Sequence, residues 1–171
     1  MVLSRAHIIG IPGSGKSTLA RWIGQEFGIV ARDLDFVAYG TDGHERTPEE
    51  IAAQIEEIRS AARWVTEGAY HGDWLKPLLD EAHAIAWLDA PLSACLTRIV
   101  KRHVRAELAR NNAHPGWRRL VWFLNYTRRT ARQQRLETAT LLSAYPDKVT
   151  RCRSSRDVAT FKQTMTARAR T

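Results

Sequence analysis

The chain has 171 residues, 44% of them hydrophobic, and a formal net charge of +8. This length and apolar content predict one compact domain over residues 1–171. Two cysteines without ligand spacing argue against a disulfide framework or a zinc site, and no apolar run is long enough to span a bilayer. A cytoplasmic protein is expected, because residues 1–5 lack the organisation of a signal peptide.

The first predicted element is a short buried strand over residues 6–9, in which His7 is expected to be a packed core residue. The stretch that follows, GIPGSGKS at 10–17, fits the phosphate-binding pattern G-x-x-x-x-G-K-[ST] at every fixed position, and a helix is predicted after it. Such a loop turns its backbone N–H groups toward the phosphates of a nucleotide. Lys16 is expected to reach the β- and γ-phosphates, and Ser17 to bind Mg²⁺. The predicted nucleotide-binding residues of this segment are Gly10, Gly13, Ser14, Gly15, Lys16, Ser17 and Thr18.

A second predicted strand, over about residues 29–33, ends in two carboxylates, Asp33 and Asp35. In an open α/β sheet the functional crevice lies beyond the carboxyl ends of the strands, so both side chains should face the phosphate loop. We expect Asp33 to hold a Mg²⁺-bound water, and Asp35 to position an acceptor hydroxyl and take its proton. Ordinary turn or capping chemistry is the alternative for this pair.

The middle of the chain continues the alternation of helix and strand. Thr47, Pro48 and Glu50 predict a capped helix that ends near Ala62. Strand three covers residues 64–66, a short helix 74–80, and strand four 84–88. Glu67 and Gly68 at the end of strand three are predicted to contact the acceptor or, for Glu67, a metal-bound water. Tyr70 and His71, just beyond the strand, are candidate acceptor contacts. Asp89 is interpreted as a helix cap.

The net charge of the chain comes from one segment. Residues 98–135 hold 11 of the 26 Lys and Arg residues and a single acid, Glu107, so they carry +10. Helices are predicted over about 91–110 and 117–143, with a break at 111–116, followed by a strand at 148–152 and a helix at 155–167. The basic segment is interpreted as a phosphate-facing lid; a nucleic-acid surface and a solvated basic face are the alternatives.

The alternating pattern predicts a parallel sheet with helices on both faces. The phosphate loop together with residues 64–70, 87–91 and 98–102 resembles the adenylate-kinase-related P-loop kinases. Within them, the chain is most similar to the small proteins labelled DNA-topology modulation proteins. The resemblance implies a three-layer α/β fold with five parallel strands in the order 2-3-1-4-5 and a short helical lid at 103–117.

The resemblance also implies roles for arginines, whose planar guanidinium stacks on rings and grips phosphate oxygens. Arg98 and Arg102 match an R-x-x-x-R pair in which the first arginine packs on adenine and the second binds phosphates. Arg128 and Arg132, which share a helix face, match a stretch that neutralises the transferring phosphoryl group. Arg156 lies in the segment that is expected to surround the adenine.

One departure from adenylate kinases points to a different acceptor. Their Asp-Gly-[Phe/Tyr]-Pro-Arg stretch is EGAYH at 67–71 here and lacks the arginine that holds an acceptor phosphate. A carboxylate such as Asp35 suits a hydroxyl acceptor, as in the shikimate, gluconate and antibiotic phosphotransferases that this arrangement resembles. The acceptor region is predicted at 36–62, with Phe36, Tyr39 and Arg46 as contacts.

The sequence therefore predicts a kinase that uses Mg²⁺ and ATP to phosphorylate a small molecule, a nucleoside, sugar, antibiotic-like metabolite or nucleotide. The alternative is a nucleotide-dependent regulator that binds DNA or a protein through the basic segment at 98–135.

Overall fold

The structure, a computed structural model, describes residues 4–40, 43–110 and 116–169. Its centre is a five-stranded sheet in which every neighbouring pair of strands is parallel. The strands are β1 (Arg5–Ile9), β2 (Ala31–Asp33), β3 (Trp64–Gly68), β4 (Ala84–Leu88) and β5 (Val149–Cys152). Their order is β2-β3-β1-β4-β5, which confirms the predicted topology. The carboxyl ends of all strands therefore meet at one edge of the sheet.

Helices lie between the strands and cover both faces of the sheet. They are α1 (Lys16–Phe27), α2 (Asp35–Ala38), α3 (Pro48–Ser60), α4 (Lys76–Glu81), α5 (Leu92–Leu108), α6 (Trp117–Leu142) and α7 (Ser155–Ala169). Alternate residues of β1 face opposite layers of the core: Ile8 packs with α1 and α7, and Ile9 packs with α3, α4 and the end of α6. Both faces of the sheet are buried, as the apolar runs of its central strands predict.

Three elements differ from the sequence prediction. β2 begins two residues later than expected, and the single turn of α2 was not predicted. The helix predicted at 74–80 begins as a 3₁₀ turn at Asp73–Leu75 before α4. Of the predicted lid at 103–117, residues 111–115 lie outside the described residues, and the remainder belongs to the end of α5, the short turn after it and the start of α6. In the described part of the chain, none of the helices has the length and hydropathy of a membrane span.

The start of α3 gives a test of the capping box. The Thr47 hydroxyl accepts from the Glu50 N–H, and the Glu50 carboxylate accepts from the Thr47 N–H at 2.8 Å. We expect Thr47→Ala to lower the free energy of unfolding by about 1 kcal/mol, because one helix N–H loses its partner. Urea denaturation measures this difference. The same substitution at Thr140, an exposed site within α6, should leave stability unchanged or slightly raised; an equal loss in both variants would contradict the cap.

Candidate functional site

The phosphate-binding loop joins the end of β1 to the start of α1, in the middle of the sheet edge. Gly13 and Gly15 adopt positive φ angles of 77° and 108°, a conformation that L side chains rarely adopt. A Cβ at Gly13 would lie 2.5 Å from the carbonyl oxygen of Cys95, and one at Gly10 would lie 2.6 Å from that of Leu88. Glycine is therefore required both by the turn of the loop and by its packing on neighbouring backbone.

The first turn of α1 opens into a cavity of about 990 Å³. Gly15, which precedes the helix, supplies no side-chain cap, and no acidic residue lies in the first turn. The N–H groups of this turn are thus left for an external acceptor, at the positive end of the helix dipole. The cavity is lined here by Gly13, Gly15, Lys16, Ser17 and Thr18. Gly10 and Ser14 support the loop from behind, since Ser14 is buried and does not line the cavity.

Three carboxylates face the loop across the cavity: those of Asp33, Asp35 and Glu67. Asp33 and Glu67 are register partners at the ends of β2 and β3, so the parallel pairing itself brings them together. The Leu34 N–H donates to the Glu67 carbonyl at 2.8 Å and extends this pairing by one residue. The predicted convergence of both strand ends on the phosphate loop is thus present in the structure.

Burial and charge are balanced among these groups. Burial lowers the pKa of Lys16, while the charges of Glu67, Asp35 and Asp33 act in the opposite direction. Burial likewise raises the pKa of Glu67, which a hydrogen bond from Ser17 partly offsets. The pKa of Asp33 is also raised, chiefly by burial. The site therefore combines a buried ammonium with the buried carboxylate of Glu67, the half-buried carboxylate of Asp33 and the exposed one of Asp35, an arrangement suited to a cation and phosphates.

Asp35 is oriented by two hydrogen bonds around its position. Its N–H donates to Asp33 Oδ1 at 2.9 Å, and the Tyr70 hydroxyl donates to Asp35 Oδ1 at 2.8 Å. Burial, and then this hydrogen bond to Asp35, raise the pKa of Tyr70, so the phenol remains a donor. Tyr70 in turn packs against Trp74, with ring centroids 5.1 Å apart. Because Tyr70 holds Oδ1, Oδ2 of Asp35 is left for a further donor.

Arginines from α5 line the cavity beside the loop. Arg98 donates to the Ser14 carbonyl at 3.0 Å, and Arg102 and Arg105 follow at helical spacing. The structure thus brings Arg98 and Arg102 to the phosphate loop, as expected from their position. The bond of Arg98 to Ser14 fixes the loop to α5; the stacking of Arg98 on adenine stays a prediction.

Besides Gly10 and Ser14 of the loop, six residues predicted to contact ligands do not line the cavity: Phe36, Arg46, His71, Arg128, Arg132 and Arg156. Phe36 is 65% exposed, and the Arg46 guanidinium donates to the Phe36 carbonyl at 2.7 Å, where it closes the last turn of α2. Arg128 and Arg132 lie on the same face of α6 as Arg135, which is turned to the sheet at Asp89. The interpretation that they face the site is therefore not met here, because the opposite flank of α6 turns to the cavity.

Other cavity residues were missed by the sequence reasoning. Those with polar or aromatic side chains are Arg21 of α1, Arg105 of α5, and Phe123, Tyr126 and Gln134 of α6. Helical spacing could have predicted the arginines. Arg21 shares a helix face with Ser17, and Arg105 shares one with Arg98 and Arg102. For α6, spacing groups Phe123, Tyr126 and Gln134 but cannot decide which flank faces the site.

Asp89 is not the helix cap that its place before Pro91 predicts. Its carboxylate pairs with Arg135 at 2.9 Å and with Arg151 at 2.6 Å, and Arg151 also lies 4.1 Å from the ring centroid of Trp87. The first turn of α5 has no side-chain cap. Asp89 therefore attaches α6 to the ends of β4 and β5.

Solved structures of other proteins share the fold of this chain. No protein-family model matches the chain, and no curated protein matches it in sequence. Among solved structures, shikimate kinase from Acinetobacter baumannii, solved with shikimate, superposes with a TM-score of 0.59 at 13% identity over 96% of this chain and 92% of that one. A gluconokinase from Sinorhizobium meliloti 1021 gives 0.57 at 16% identity, over 99% and 93%. Shikimate kinase from Bacteroides thetaiotaomicron gives 0.54 at 14% identity, over 96% of each chain.

At these identities the comparison shows that the chain has the fold of P-loop kinases for small molecules. The comparison confirms the predicted P-loop kinase fold. It does not confirm the predicted similarity to DNA-topology modulation proteins.

His7, behind the phosphate loop, gives a pH-dependent prediction. It is fully buried, its Nδ1 lies 2.9 Å from Thr66 Oγ1, and burial followed by the charge of Lys16 lowers its pKa to about 3. The unfolded chain therefore binds a proton that the folded chain excludes, and stability falls as pH decreases from 6.5 toward 3. His7→Gln should remove up to about 1.4 kcal/mol per pH unit from this slope. Urea denaturation between pH 6.5 and 5 measures it, and a His7→Gln protein with the wild-type slope would contradict the assignment.

Proposed function

We propose that this chain is a kinase that transfers the γ-phosphoryl group of Mg²⁺-ATP to a hydroxyl of a small molecule. The observation that carries the proposal is the position of Asp35. Its carboxylate lines the same cavity as the phosphate loop, and Tyr70 fixes one of its oxygens. A P-loop fold with such a carboxylate opposite the loop suits transfer to a hydroxyl, which must be oriented and lose a proton. The folds of shikimate kinase and gluconokinase support the same class of reaction.

The residues of the site fit ATP and Mg²⁺. The N–H groups at the start of α1 and the Lys16 ammonium would hold the phosphates, and Arg102 would add charge from α5. The Ser17 hydroxyl would bind Mg²⁺ directly, and Asp33 would hold it through water. In the described part of the chain, no group of three acidic, His or Cys side chains could hold a metal ion alone, so the phosphates would complete its ligands. The metal supplies positive charge that offsets the charge on the β- and γ-phosphates.

The protein would contribute position and proton removal. Oδ2 of Asp35 would accept the proton of the acceptor hydroxyl while the hydroxyl oxygen forms a bond to the γ-phosphorus. The bond between that phosphorus and the β–γ bridging oxygen breaks, and ADP leaves. Lys16 and Arg102 would stabilise the charge on the transferring oxygens. The Lys16 ammonium interacts electrostatically with the carboxylates of Glu67 and Asp35. It would interact with the phosphates of ATP as well, so it would act on both the nucleotide and the acceptor.

The alternative function assigned the basic segment to nucleic acid. Three of its arginines, Arg98, Arg102 and Arg105, line the cavity beside the phosphate loop, and Arg135 pairs with Asp89. Three of the eleven basic side chains of the segment are therefore placed where they suit the phosphates of a nucleotide, and their position supports the kinase. The seven that neither line the cavity nor pair with Asp89 are exposed: Lys101, Arg110, Arg118, Arg119, Arg128, Arg129 and Arg132.

The proposal is tested by following ADP release with Mg²⁺-ATP and a panel of hydroxyl compounds that includes nucleosides, sugars, aminoglycosides, shikimate and gluconate. We expect at least one compound to accelerate turnover. Lys16→Ala should reduce this turnover by at least about 100-fold, because the transferring phosphoryl group loses its nearest cation. A panel without any acceleration would contradict the proposal.

The role of Asp35 has its own test. Asp35→Asn should lower kcat by about 100-fold or more and leave the KM for ATP unchanged, because it removes the proton acceptor and not a phosphate contact. The matched control is Asp80→Asn. Asp80 accepts a tyrosine hydroxyl in the same way, from Tyr145 at 2.7 Å, yet does not line the cavity. Its kcat should equal that of the wild type, and equal losses in kcat and ATP affinity for Asp35→Asn would refute the acceptor role.

A further inference from the structure

Four aromatic rings line the cavity. Tyr39 follows α2, Tyr70 lies in the loop after β3, and Phe123 and Tyr126 belong to α6. Tyr126 stacks on Trp122, with ring centroids 5.6 Å apart and planes inclined by 12°, and lies 6.4 Å from Phe123. The proposed phosphoryl transfer uses none of these α6 rings.

Contacts at the other end of α6 fix which flank the rings occupy. His71 Nε2 lies 2.7 Å from Thr138 Oγ1, and His71 Nδ1 lies 3.3 Å from the Glu137 carboxylate. At 100° per residue, Phe123 and Tyr126 lie on the same flank of α6 as Glu137. Because His71 directly follows Tyr70, this flank faces the loop after β3. The rings of α6 therefore lie on the flank of the helix that borders the cavity.

The charges on the acceptor side are negative. Asp33, Asp35 and Glu67 line the cavity, whereas the cations that line it, Lys16, Arg21, Arg98, Arg102 and Arg105, all lie on α1 and α5. Binding of an acceptor with a carboxylate or phosphate near Asp35 would therefore be unfavourable, because that group would lose its hydration next to other negative charges.

The arginines within and beside the predicted acceptor region at 36–62 interact with protein groups outside the cavity. Arg32 pairs with Glu57 at 3.3 Å, and Arg59 pairs with Glu56 and Glu81. Arg46 donates to the Phe36 carbonyl, and Arg63 donates to the Phe27 carbonyl. None of these four guanidinium groups lines the cavity, so among the described residues β2, α2, α3 and β3 provide no cation for an anionic acceptor.

From these contacts we infer that the acceptor is a ring-bearing hydroxyl compound without a carboxylate, phosphate or sulfate group, and that its ring packs on Phe123 and Tyr126. The inference rests on the proposed function. Aromatic faces bind planar or sugar rings without requiring opposite charge, and their quadrupole disfavours anions over their faces. Tyr70 and Asp35 would then select the hydroxyl that reacts.

Matched pairs of compounds test the charge. Binding is measured by thermal shift and calorimetry on the full chain with Mg²⁺ and a non-hydrolysable ATP analogue. The pairs are nucleosides against their 5′-monophosphates and shikimate methyl ester against shikimate, together with uncharged cyclitols and sugars against their carboxylic acids. At least one uncharged member should bind, at least about 10-fold more tightly than its anionic partner. Tighter binding of the anionic members, or binding by neither set while the ATP analogue binds, overturns the inference.

Variants test the rings. Phe123→Ala and Tyr126→Ala should each lower the affinity for the uncharged compound by about 10-fold and leave the affinity for the ATP analogue unchanged. Leu136→Ala is the control, since Leu136 is 56% exposed on the same helix and does not line the cavity. Unchanged acceptor affinity in both aromatic variants overturns the role of α6. Failure of the ATP analogue itself to bind contradicts the proposed function, and the inference with it, so the two failures are distinguishable.

Discussion

The site depends on the attraction between the Lys16 ammonium and the carboxylates at the ends of β2 and β3. Burial alone lowers the pKa of Lys16, and Glu67, Asp35 and Asp33 oppose that change. The strand register supplies two of these carboxylates as neighbours, and the phosphate loop supplies the lysine. Burial raises the pKa values of Asp33 and Glu67, so both carboxylates gain from a nearby positive charge. A metal ion with a polyphosphate adds cation and anion together, so neither Lys16 nor the carboxylates are left without a partner.

The second requirement is that α6 be held in one rotation above this edge. Asp89 receives Arg135 on one flank of the helix, and His71 contacts Glu137 and Thr138 on the other. Asp89 also pairs with Arg151, so the helix is connected to the ends of β4 and β5 as well as to the loop after β3. These contacts lie within the last eight residues of α6, from Arg135 to Leu142, whereas the start of the helix packs on α5, where the rings of His103 and Trp117 are 5.6 Å apart.

Much of the sheet and of the phosphate loop follows from local sequence. Short apolar runs predict buried parallel strands, and the parallel topology places Asp33 beside Glu67 without further information. Other features depend on contacts between distant segments. α2 is a single turn, too short to produce a periodic pattern. Spacing correctly groups Arg128 with Arg132, but the rotation of α6 is set by His71 and Asp89, which lie far away in sequence. Because that rotation could not be predicted, the sequence did not identify Phe123 and Tyr126 as cavity residues.

His71 joins the loop after β3 to α6. Its side chain does not line the cavity, and its Nε2 lies 2.7 Å from Thr138 Oγ1. Burial lowers the pKa of His71, against the opposing charge of Glu137, so it favours the neutral form, which can bridge two polar partners on the helix. His71 therefore holds α6 and adds no positive charge beside Asp35. The acceptor site that we propose, made of Asp35, Tyr70 and aromatic rings, agrees with this arrangement, because the helix that His71 contacts is the one that carries Phe123 and Tyr126 to the cavity.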